Sequence, residues 1–291
     1  MLRVHVACVA IVVAMGLAGC AKPPQTRESL SAYSAVDEIM TGSIGPRATF
    51  ASARQPMPGR PSATLAGRTL AIADEHHLSL LPGEVVLTFD DGPRPGNTDR
   101  ILDALDAYGV KATFFMLGAA AEHHPELVRA VAGQGHTIAT HTYDHVDLAT
   151  LSLPAAIAEI YAGHQAVARA LAPVHGSPSR FFRFPYLSQT GLIRTGAIES
   201  NFIVVDVDVD SKDYYDESAD VVLDRTLARL EARGSGVVLF HDIHDRTADL
   251  LPDFLAALKA RGYSVVALRS SGGSVFDQPE ITAELRGSLT F

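Results

Sequence analysis

The sequence predicts an α/β fold built around a parallel sheet, and two patterns indicate it. Short apolar runs alternate with longer stretches whose apolar residues recur at helical spacing. Acidic, imidazole and guanidinium side chains fall at the ends of the apolar runs. Strands and helices in alternation are typical of parallel sheets, either closed as a barrel or open and doubly wound.

Seven apolar runs have the length and composition of strands. They cover residues 85–89, 112–117, 137–140, 180–184, 202–207, 236–240 and 264–268. Helices are predicted between most of them, over residues 97–108, 126–132, 153–171, 219–232 and 250–261. In a parallel barrel the carboxyl ends of the strands meet at one face, so reactive residues that follow different strands converge on a single site.

The first 20 residues are predicted to be a signal peptide. Arg3 supplies positive charge, an apolar run covers residues 6–17, and small residues lead to Cys20. The stretch ending in Leu17-Ala18-Gly19-Cys20 resembles the lipobox of bacterial lipoproteins, in which Cys20 receives lipid. The alternative is an ordinary signal peptide with a chance cysteine.

Three further segments follow the signal peptide. Residues 21–67 are rich in Pro, Ser, Thr and Ala without a sustained period, which is typical of a flexible tether. Residues 68–270 carry the strand and helix patterns and form the predicted folded domain. Residues 271–291 have a weak pattern and are predicted to be a C-terminal tail.

The composition argues against a nucleic-acid partner and against a metal site with cysteine ligands. The formal net charge of −9 provides no basic surface for nucleic acid, so a nucleic-acid partner is not expected. The chain has 2 cysteines, Cys8 and Cys20, and neither lies in the predicted domain. Any metal site in that domain must therefore use histidine and carboxylate ligands.

Adjacent carboxylates follow the first predicted strand. The motif Thr88-Phe89-Asp90-Asp91-Gly92-Pro93 ends in a Gly-Pro turn. Successive strand residues point to opposite faces, so Asp90 and Asp91 share a site only if the chain is already turning, as Gly92 and Pro93 permit. A polar turn without chemistry is the alternative for this motif alone.

Two imidazoles follow the third predicted strand. In His141-Thr142-Tyr143-Asp144-His145 the histidines are four residues apart, which brings them to one side of a helical or turn-like segment. Two histidines and a carboxylate form a ligand set of catalytic zinc sites. A pair of surface histidines is the alternative for this motif alone.

Taken together, five ordered motifs between about residues 84 and 268 resemble the polysaccharide deacetylase family, also called the NodB homology domain or carbohydrate esterase family 4. The motifs are Thr88-Phe89-Asp90-Asp91-Gly92-Pro93, residues His141 to His145, Arg183-Phe184-Pro185-Tyr186, Asp210-Ser211-Lys212-Asp213-Tyr214 and Leu239-Phe240-His241. The resemblance implies a distorted (β/α) barrel of about seven parallel strands.

The resemblance also implies the central roles. Asp91, His141 and His145 would be the metal ligands, Asp90 the general base and His241 the general acid. A divalent ion lowers the pKa of its water towards ~7 and polarises an acetyl carbonyl. Zinc is the default metal, and cobalt, nickel or iron would suit the same ligands.

Supporting roles follow from the same resemblance. Arg183 would pair with Asp90 and lower its pKa, and Asp213 would orient His241. The backbone N–H of Tyr186 would contribute to an oxyanion site. The acetyl pocket would be lined by Leu239, Pro185 and Tyr214. Tyr214 departs from the family, which usually has tryptophan there, so the pocket wall is smaller and carries a hydroxyl.

The implied activity is hydrolytic removal of N-acetyl groups from a GlcNAc-containing polysaccharide, such as peptidoglycan, poly-N-acetylglucosamine or a chitin-type chain. An O-acetyl esterase acting on xylan and a non-catalytic glycan-binding envelope protein are the alternatives. The expected location is the cell envelope, lipid-anchored through Cys20 on the periplasmic side, with the outer membrane favoured. Residues Ala21 and Lys22 lack the aspartate that retains lipoproteins in the inner membrane of enteric-type bacteria. The sequence predicts no oligomeric state.

Overall fold

A computed structural model of the protein describes residues 64–272 and residue 275. The predicted signal peptide with Cys20, residues 21–63 of the predicted tether and most of the predicted tail lie outside the described residues. Within the described part of the chain, no helix is long and apolar enough to cross a membrane.

Nine strands and seven helices make up the described fold. The strands are β1 Ala66–Ile72, β2 Glu84–Asp90, β3 Thr113–Met116, β4 Thr137–Thr140, β5 Phe181–Phe182, β6 Ile203–Val204, β7 Val209–Asp210, β8 Gly236–His241 and β9 Ser264–Ser270. The helices are α1 Thr98–Ala107, α2 Gly118–His123, α3 Pro125–Gly133, α4 Leu153–Leu171, α5 Gly191–Glu199, α6 Ala219–Arg233 and α7 Asp245–Ala260.

The strands form a distorted parallel barrel, as the family resemblance implies. The path runs β7-β8-β2-β3-β4-β5-β6, and every pairing is parallel. One extended segment closes it, because Val205 N–H donates to the Phe182 carbonyl at 2.9 Å and Asp208 N–H donates to the Val237 carbonyl at 3.0 Å. Residues 203–210 therefore join the last strand of the path to the first.

Strands β1 and β9 form a parallel pair across the amino-terminal end of the barrel. The start of β9 pairs with the start of β2. Farther along, the Leu268 carbonyl accepts from the Thr137 hydroxyl at the start of β4, and the Ser270 hydroxyl accepts from Arg180 N–H just before β5 at 3.3 Å. The pair therefore closes the end of the barrel opposite the carboxyl ends of the strands.

Side chains inside the barrel form their own core cluster. Its members are Ile72, Val86, Phe115, Ala139, Phe181, Ile203, Val205, Val237, Val266 and Leu268. Neighbouring strand residues such as Phe89, Phe114 and Phe240 belong to a second cluster shared with the surrounding helices. This alternation follows from the two-residue period of a strand, and it fixes which side chains face the barrel axis.

Most predicted elements are confirmed, and α4 and β4 have their predicted bounds. Strands β1 and β7 and helices α2 and α5 have no counterpart in the prediction. The predicted start of the last helix, residue 250, is wrong. Helix α7 begins at Asp245 and carries Pro252 in its interior. The α7 side chains Leu250, Leu251 and Phe254 are buried in the shared core, and this packing offsets the hydrogen bond that proline cannot make.

Candidate active site

Several predicted site residues continue, along their strands, the series of side chains that point into the barrel. Asp90 follows Val86 and Thr88, His141 follows Ala139, Arg183 follows Phe181, and Leu239 and His241 follow Val237, each in steps of two residues. Because every strand runs in the same direction, these series end at the same mouth of the barrel. The structure therefore brings residues from four motifs to one place.

Asp91, His141 and His145 form a cluster that could hold a metal ion. Asp91 Oδ1 lies 3.5 Å from His141 Nε2 and 3.4 Å from His145 Nε2. One potential ligand atom from each residue lies within 4.8 Å of the others. A tetrahedral zinc ion with bonds of about 2.1 Å holds its ligand atoms about 3.4 Å apart. Asp91 Oδ1 is buried without a hydrogen-bond partner, as a carboxylate oxygen reserved for a cation would be.

Left-handed backbone conformations direct the ligands to a common point. Asp91 has φ of 76°, Thr142 of 70° and His145 of 57°. A non-glycine residue in this region is strained, and such strain persists only where the surroundings enforce it. The turn at Asp91 is what allows two adjacent carboxylates, Asp90 and Asp91, to serve one site.

The protonation of His141 suits a metal ligand. Its Nδ1 lies 2.7 Å from the carbonyl oxygen of Arg183, so Nδ1 carries the hydrogen and Nε2 keeps a free lone pair towards Asp91 and His145. Burial lowers the pKa of His141 to about 3. The imidazole is therefore neutral at physiological pH, which is the form that coordinates metals.

Helix α4 holds the turn that carries the two histidines, and sequence reasoning missed this role. The Glu159 carboxylate accepts from Tyr143 N–H at 2.9 Å and from Asp144 N–H at 2.8 Å. A Cβ atom at Gly163 would lie 2.2 Å from the carbonyl oxygen of Thr142. The turn thus rests directly on the helix backbone, and Gly163 is required for that close approach.

We predict that Gly163→Ala weakens zinc binding and lowers the free energy of unfolding. The added methyl must displace the Thr142 backbone, which is part of the turn between His141 and His145. The expected destabilisation is about 1–3 kcal/mol, the usual cost of overpacking. Zinc affinity and thermal unfolding are measured together. Gly133→Ala on α3 is the matched control, because a Cβ there meets nothing within 4 Å. Equal behaviour of the two variants would contradict the prediction.

Asp90 and Arg183 form a buried ion pair, as predicted. Arg183 Nη1 donates to Asp90 Oδ1 at 2.7 Å and to the Thr88 hydroxyl at 2.8 Å, and its Nε donates to the Val205 carbonyl. The guanidinium carbon also lies 4.1 Å from the centroid of the Phe115 ring. These contacts fix the position of the Asp90 carboxylate in the barrel mouth.

The net pKa shift of Asp90 is opposite to the sequence expectation. Burial raises the pKa of Asp90, and the charges of Arg183 and His241 oppose this without overcoming it. The predicted lowering by Arg183 is present as one contribution. A raised pKa makes the carboxylate a stronger proton acceptor, which suits a general base.

His241 and Asp213 form a second hydrogen-bonded pair. The Asp213 carboxylate contacts His241 Nδ1 at 2.7 Å and accepts from His241 N–H at 2.7 Å and the Thr247 hydroxyl at 2.6 Å. Burial by itself lowers the pKa of His241, but the hydrogen bond and charge of Asp213, helped by Asp90 and Asp91, raise it to about 9. His241 is therefore protonated at neutral pH, and its Nε2 side is left to donate.

The remaining predicted residues line the mouth. Leu239 is buried one inward position below His241, and Pro185 is buried after β5. The Tyr186 ring lies edge-on to His145, with centroids 4.4 Å apart, and Tyr186 has φ of 57°. Tyr214 is edge-on to His241 at 5.6 Å, and its hydroxyl donates to Asp210 Oδ2 at 2.9 Å. Tyr186 therefore lies beside the metal cluster, and Tyr214 lies beside His241.

Asp242 is a buried carboxylate that the sequence did not single out for a role. Its Oδ2 accepts from the Thr98 hydroxyl at 2.6 Å, and its N–H donates to the Asp90 carbonyl at 3.3 Å. A Cβ at Gly92 would lie 2.1 Å from the Asp242 carboxylate oxygens. Asp242 therefore joins the loop after β2 to the loop after β8.

Comparison with known proteins decides the family. The family model of polysaccharide deacetylases matches residues 80–204. A chitooligosaccharide deacetylase from Rhizobium leguminosarum bv. trifolii is 33% identical over 198 residues, which are 63% of this chain and 89% of that protein. The chain belongs to the polysaccharide deacetylase family.

Structural comparison agrees with this assignment. The solved peptidoglycan deacetylase of Bdellovibrio bacteriovorus matches with a TM-score of 0.63 and 36% identity, covering 76% of this chain and 62% of that one. A longer relative from Arthroderma benhamiae is 34% identical over 194 residues, which are 64% of this chain but 43% of that protein. The similarity therefore lies in the shared deacetylase domain.

Proposed function

We propose that the chain is a metal-dependent hydrolase that removes N-acetyl groups from a GlcNAc-containing polysaccharide. The observation that carries the proposal is the convergence on one barrel mouth of a cluster that could hold a metal ion, a buried carboxylate paired with Arg183, and a histidine paired with Asp213. Family membership and the names of the relatives support the same reaction.

Asp91, His141 and His145 would hold the divalent ion, and zinc is the proposed metal. When bound, such an ion lowers the pKa of water and polarises the acetyl carbonyl. Asp90 takes the proton from the attacking water, because its carboxylate is fixed by Arg183 and its Oδ2 faces the cluster, 3.9 Å from His141 Nε2.

The departing amine receives its proton from His241. The Asp213 carboxylate keeps the imidazole charged and sets its orientation through Nδ1. We assign the backbone N–H of Tyr186 to the carbonyl oxygen as charge develops there. Leu239, Pro185 and Tyr214 enclose the acetyl methyl, and the Tyr214 hydroxyl remains tied to Asp210.

Replacing Asp213 with asparagine should move the alkaline limb of the kcat/KM profile to lower pH. His241 must be protonated to act, so activity falls as pH rises through its pKa of about 9. Burial alone lowers that pKa, and the variant removes the charge that opposes burial. Asp216→Asn, which alters an exposed carboxylate of the same loop, is the control. An unshifted alkaline limb in Asp213→Asn would count against the acid role of His241.

Acetate release from a panel of polymers tests the proposed reaction and identifies its glycan. The panel contains peptidoglycan, poly-N-acetylglucosamine, chitin oligosaccharides and O-acetylated xylan, with zinc supplied and bound metal measured on the same preparation. Release from at least one N-acetylated glycan is the expected result. Release from xylan alone would favour the O-acetyl esterase alternative, and no release from any polymer would refute the deacetylase proposal.

We further propose that the chain is a lipoprotein of the cell envelope, anchored through Cys20 on the periplasmic side and favouring the outer membrane. The lipobox-like stretch before Cys20 supports this proposal. Mass spectrometry of the membrane fraction should find lipid on Cys20, and Cys20→Ser should release the protein from membranes. An unlipidated wild-type chain would contradict the proposal.

A further inference from the structure

A polar cavity lies at the amino-terminal end of the barrel, opposite the mouth that carries the metal cluster. Its volume is about 420 Å³, and its polar lining includes His136, Thr137, Ser177, Ser179, Arg180 and Arg269. Thr137 begins β4, Arg180 precedes β5, and Arg269 lies near the end of β9. The cavity is therefore built from β4, β9 and the segment before β5, and none of its lining residues is a predicted active-site residue.

The charged lining of this cavity is entirely cationic. Arg180 and Arg269 line it, and within the described residues no carboxylate lines it or forms an ion pair with either guanidinium. Asp74, whose charge acts on Arg180, already pairs with His77 at 2.7 Å. Neither guanidinium therefore forms a direct ion pair among the described residues, although the chain has a formal net charge of −9.

The two arginines are held in place by the protein's own oxygens. Arg180 donates to the Asn201 side chain and to the carbonyls of Ala73 and Ser271. Arg269 donates to the Thr137 hydroxyl at 3.1 Å and to the Gly135 carbonyl at 2.7 Å. These contacts orient the guanidinium groups but leave their charge unneutralised, since the acceptors are neutral.

Two buried donors in the lining have no partner among the described residues. His136 is 3% exposed, and its Nδ1 accepts from Ala112 N–H at 3.1 Å. The hydrogen of the neutral ring must then sit on Nε2, which is buried and unpartnered. The Arg180 Nε is likewise buried and unpartnered. Buried donors without acceptors are costly, and an oxyanion would satisfy them.

We propose that this cavity binds a phosphate-class oxyanion. Guanidinium groups bind phosphate oxygens through charge-assisted hydrogen bonds, and a hydroxyl group such as that of Ser177 can complete a site of this kind. Free phosphate and the phosphodiester headgroup of an anionic lipid share this chemistry.

Calorimetric titration of the full chain tests the proposal with two probes, inorganic phosphate and glycerophosphoglycerol, the soluble headgroup of an anionic lipid. Binding of either probe supports the site. The probe that binds more tightly shows whether free phosphate or the headgroup of an anionic lipid is the preferred ligand. Arg269→Gln should weaken binding about 10-fold or more, since a charged donor is lost. Ser177→Glu should weaken it similarly by placing a negative charge in the cavity while leaving both arginines intact. Arg100→Gln, which removes a surface arginine paired with Asp249, is the matched control.

Three results would overturn the proposal. The first is no binding of either probe up to about 10 mM, a concentration that would reveal even millimolar affinity. The second is equal affinity in the unaltered chain and in both cavity variants. The third is loss of binding in His145→Ala with retention in Arg269→Gln, which would place the anion at the metal cluster.

Discussion

Replacing Asp90 with asparagine is expected to lower kcat/KM for acetate release by about 100- to 10,000-fold, the usual contribution of a general base. Asparagine keeps the shape of the side chain and can still accept a hydrogen bond from Arg183, but it cannot take a proton from water. The cluster that could hold the metal contains Asp91 rather than Asp90, so we expect the bound metal to remain at its wild-type level. Acetate release and metal content are measured on the same preparations.

Stability must be followed alongside activity in this experiment. The variant leaves Arg183 buried and charged without its carboxylate, and breaking a buried ion pair costs about 3–5 kcal/mol. Assays are therefore made below the unfolding transition of the variant. Asp253→Asn, which changes an exposed carboxylate of α7, should retain full activity. Undiminished acetate release by folded Asp90→Asn would refute the assignment of Asp90 as the base. If the wild-type chain showed no turnover and Asp90→Asn bound glycan as well as the wild type does, a non-catalytic glycan-binding protein would be favoured.

Replacing His145 with alanine is expected to lower zinc affinity by more than about 100-fold, since loss of an outer-shell partner alone costs about 10- to 100-fold. His145 is partly exposed and its Nε2 lies 3.4 Å from Asp91 Oδ1, so the variant loses a ligand without opening the barrel core. Activity should fall with the metal and return in part at high zinc concentration. Zinc affinity is measured by competition with a chelator.

His123→Ala is the matched control for this variant, because His123 is an exposed histidine at the end of α2, outside the metal cluster. Zinc affinity and acetate release should be those of the unaltered chain. If His145→Ala bound zinc as tightly as the control, the ligand assignment would be wrong.

The sequence is most informative about the strands and the groups that follow them. Parallel strands with a two-residue period place Asp90, His141, Arg183 and His241 on the inner face at one end. The pairings Asp90–Arg183 and Asp213–His241 were also predicted, and both are present at 2.7 Å. Short, ordered motifs at strand ends are enough to predict these residues, because the geometry of a parallel barrel brings the strand ends together.

The groups that hold the site in place were not predictable in the same way. Glu159 has the pattern of a solvated helix face, and Gly163 that of a weak helix former, yet both contact the histidine turn. Asp242 follows His241 in an apparent loop, yet it is 1% exposed and meets Thr98. Such roles depend on long-range packing, which leaves no periodic signal in the sequence.

Local sequence patterns also do not predict the strained backbone conformations or the pKa shifts of the site. Asp91, Thr142 and His145 adopt left-handed conformations without the glycine or asparagine that normally marks them. The pKa of Asp90 is raised because burial outweighs the Arg183 charge, and the depth of burial is set by the whole barrel. Strand β1 was missed because its side chains are mostly exposed, so its pattern lacks an apolar face.

Titration of metal-free protein with zinc, followed by acetate release from an N-acetylated glycan of the panel, tests the central claim most directly. The cluster of Asp91, His141 and His145 predicts no release without metal and a rise that saturates at one zinc ion per chain. Full release by the metal-free chain, or no release after zinc is bound at that ratio, would contradict the assignment of a metal-dependent deacetylase.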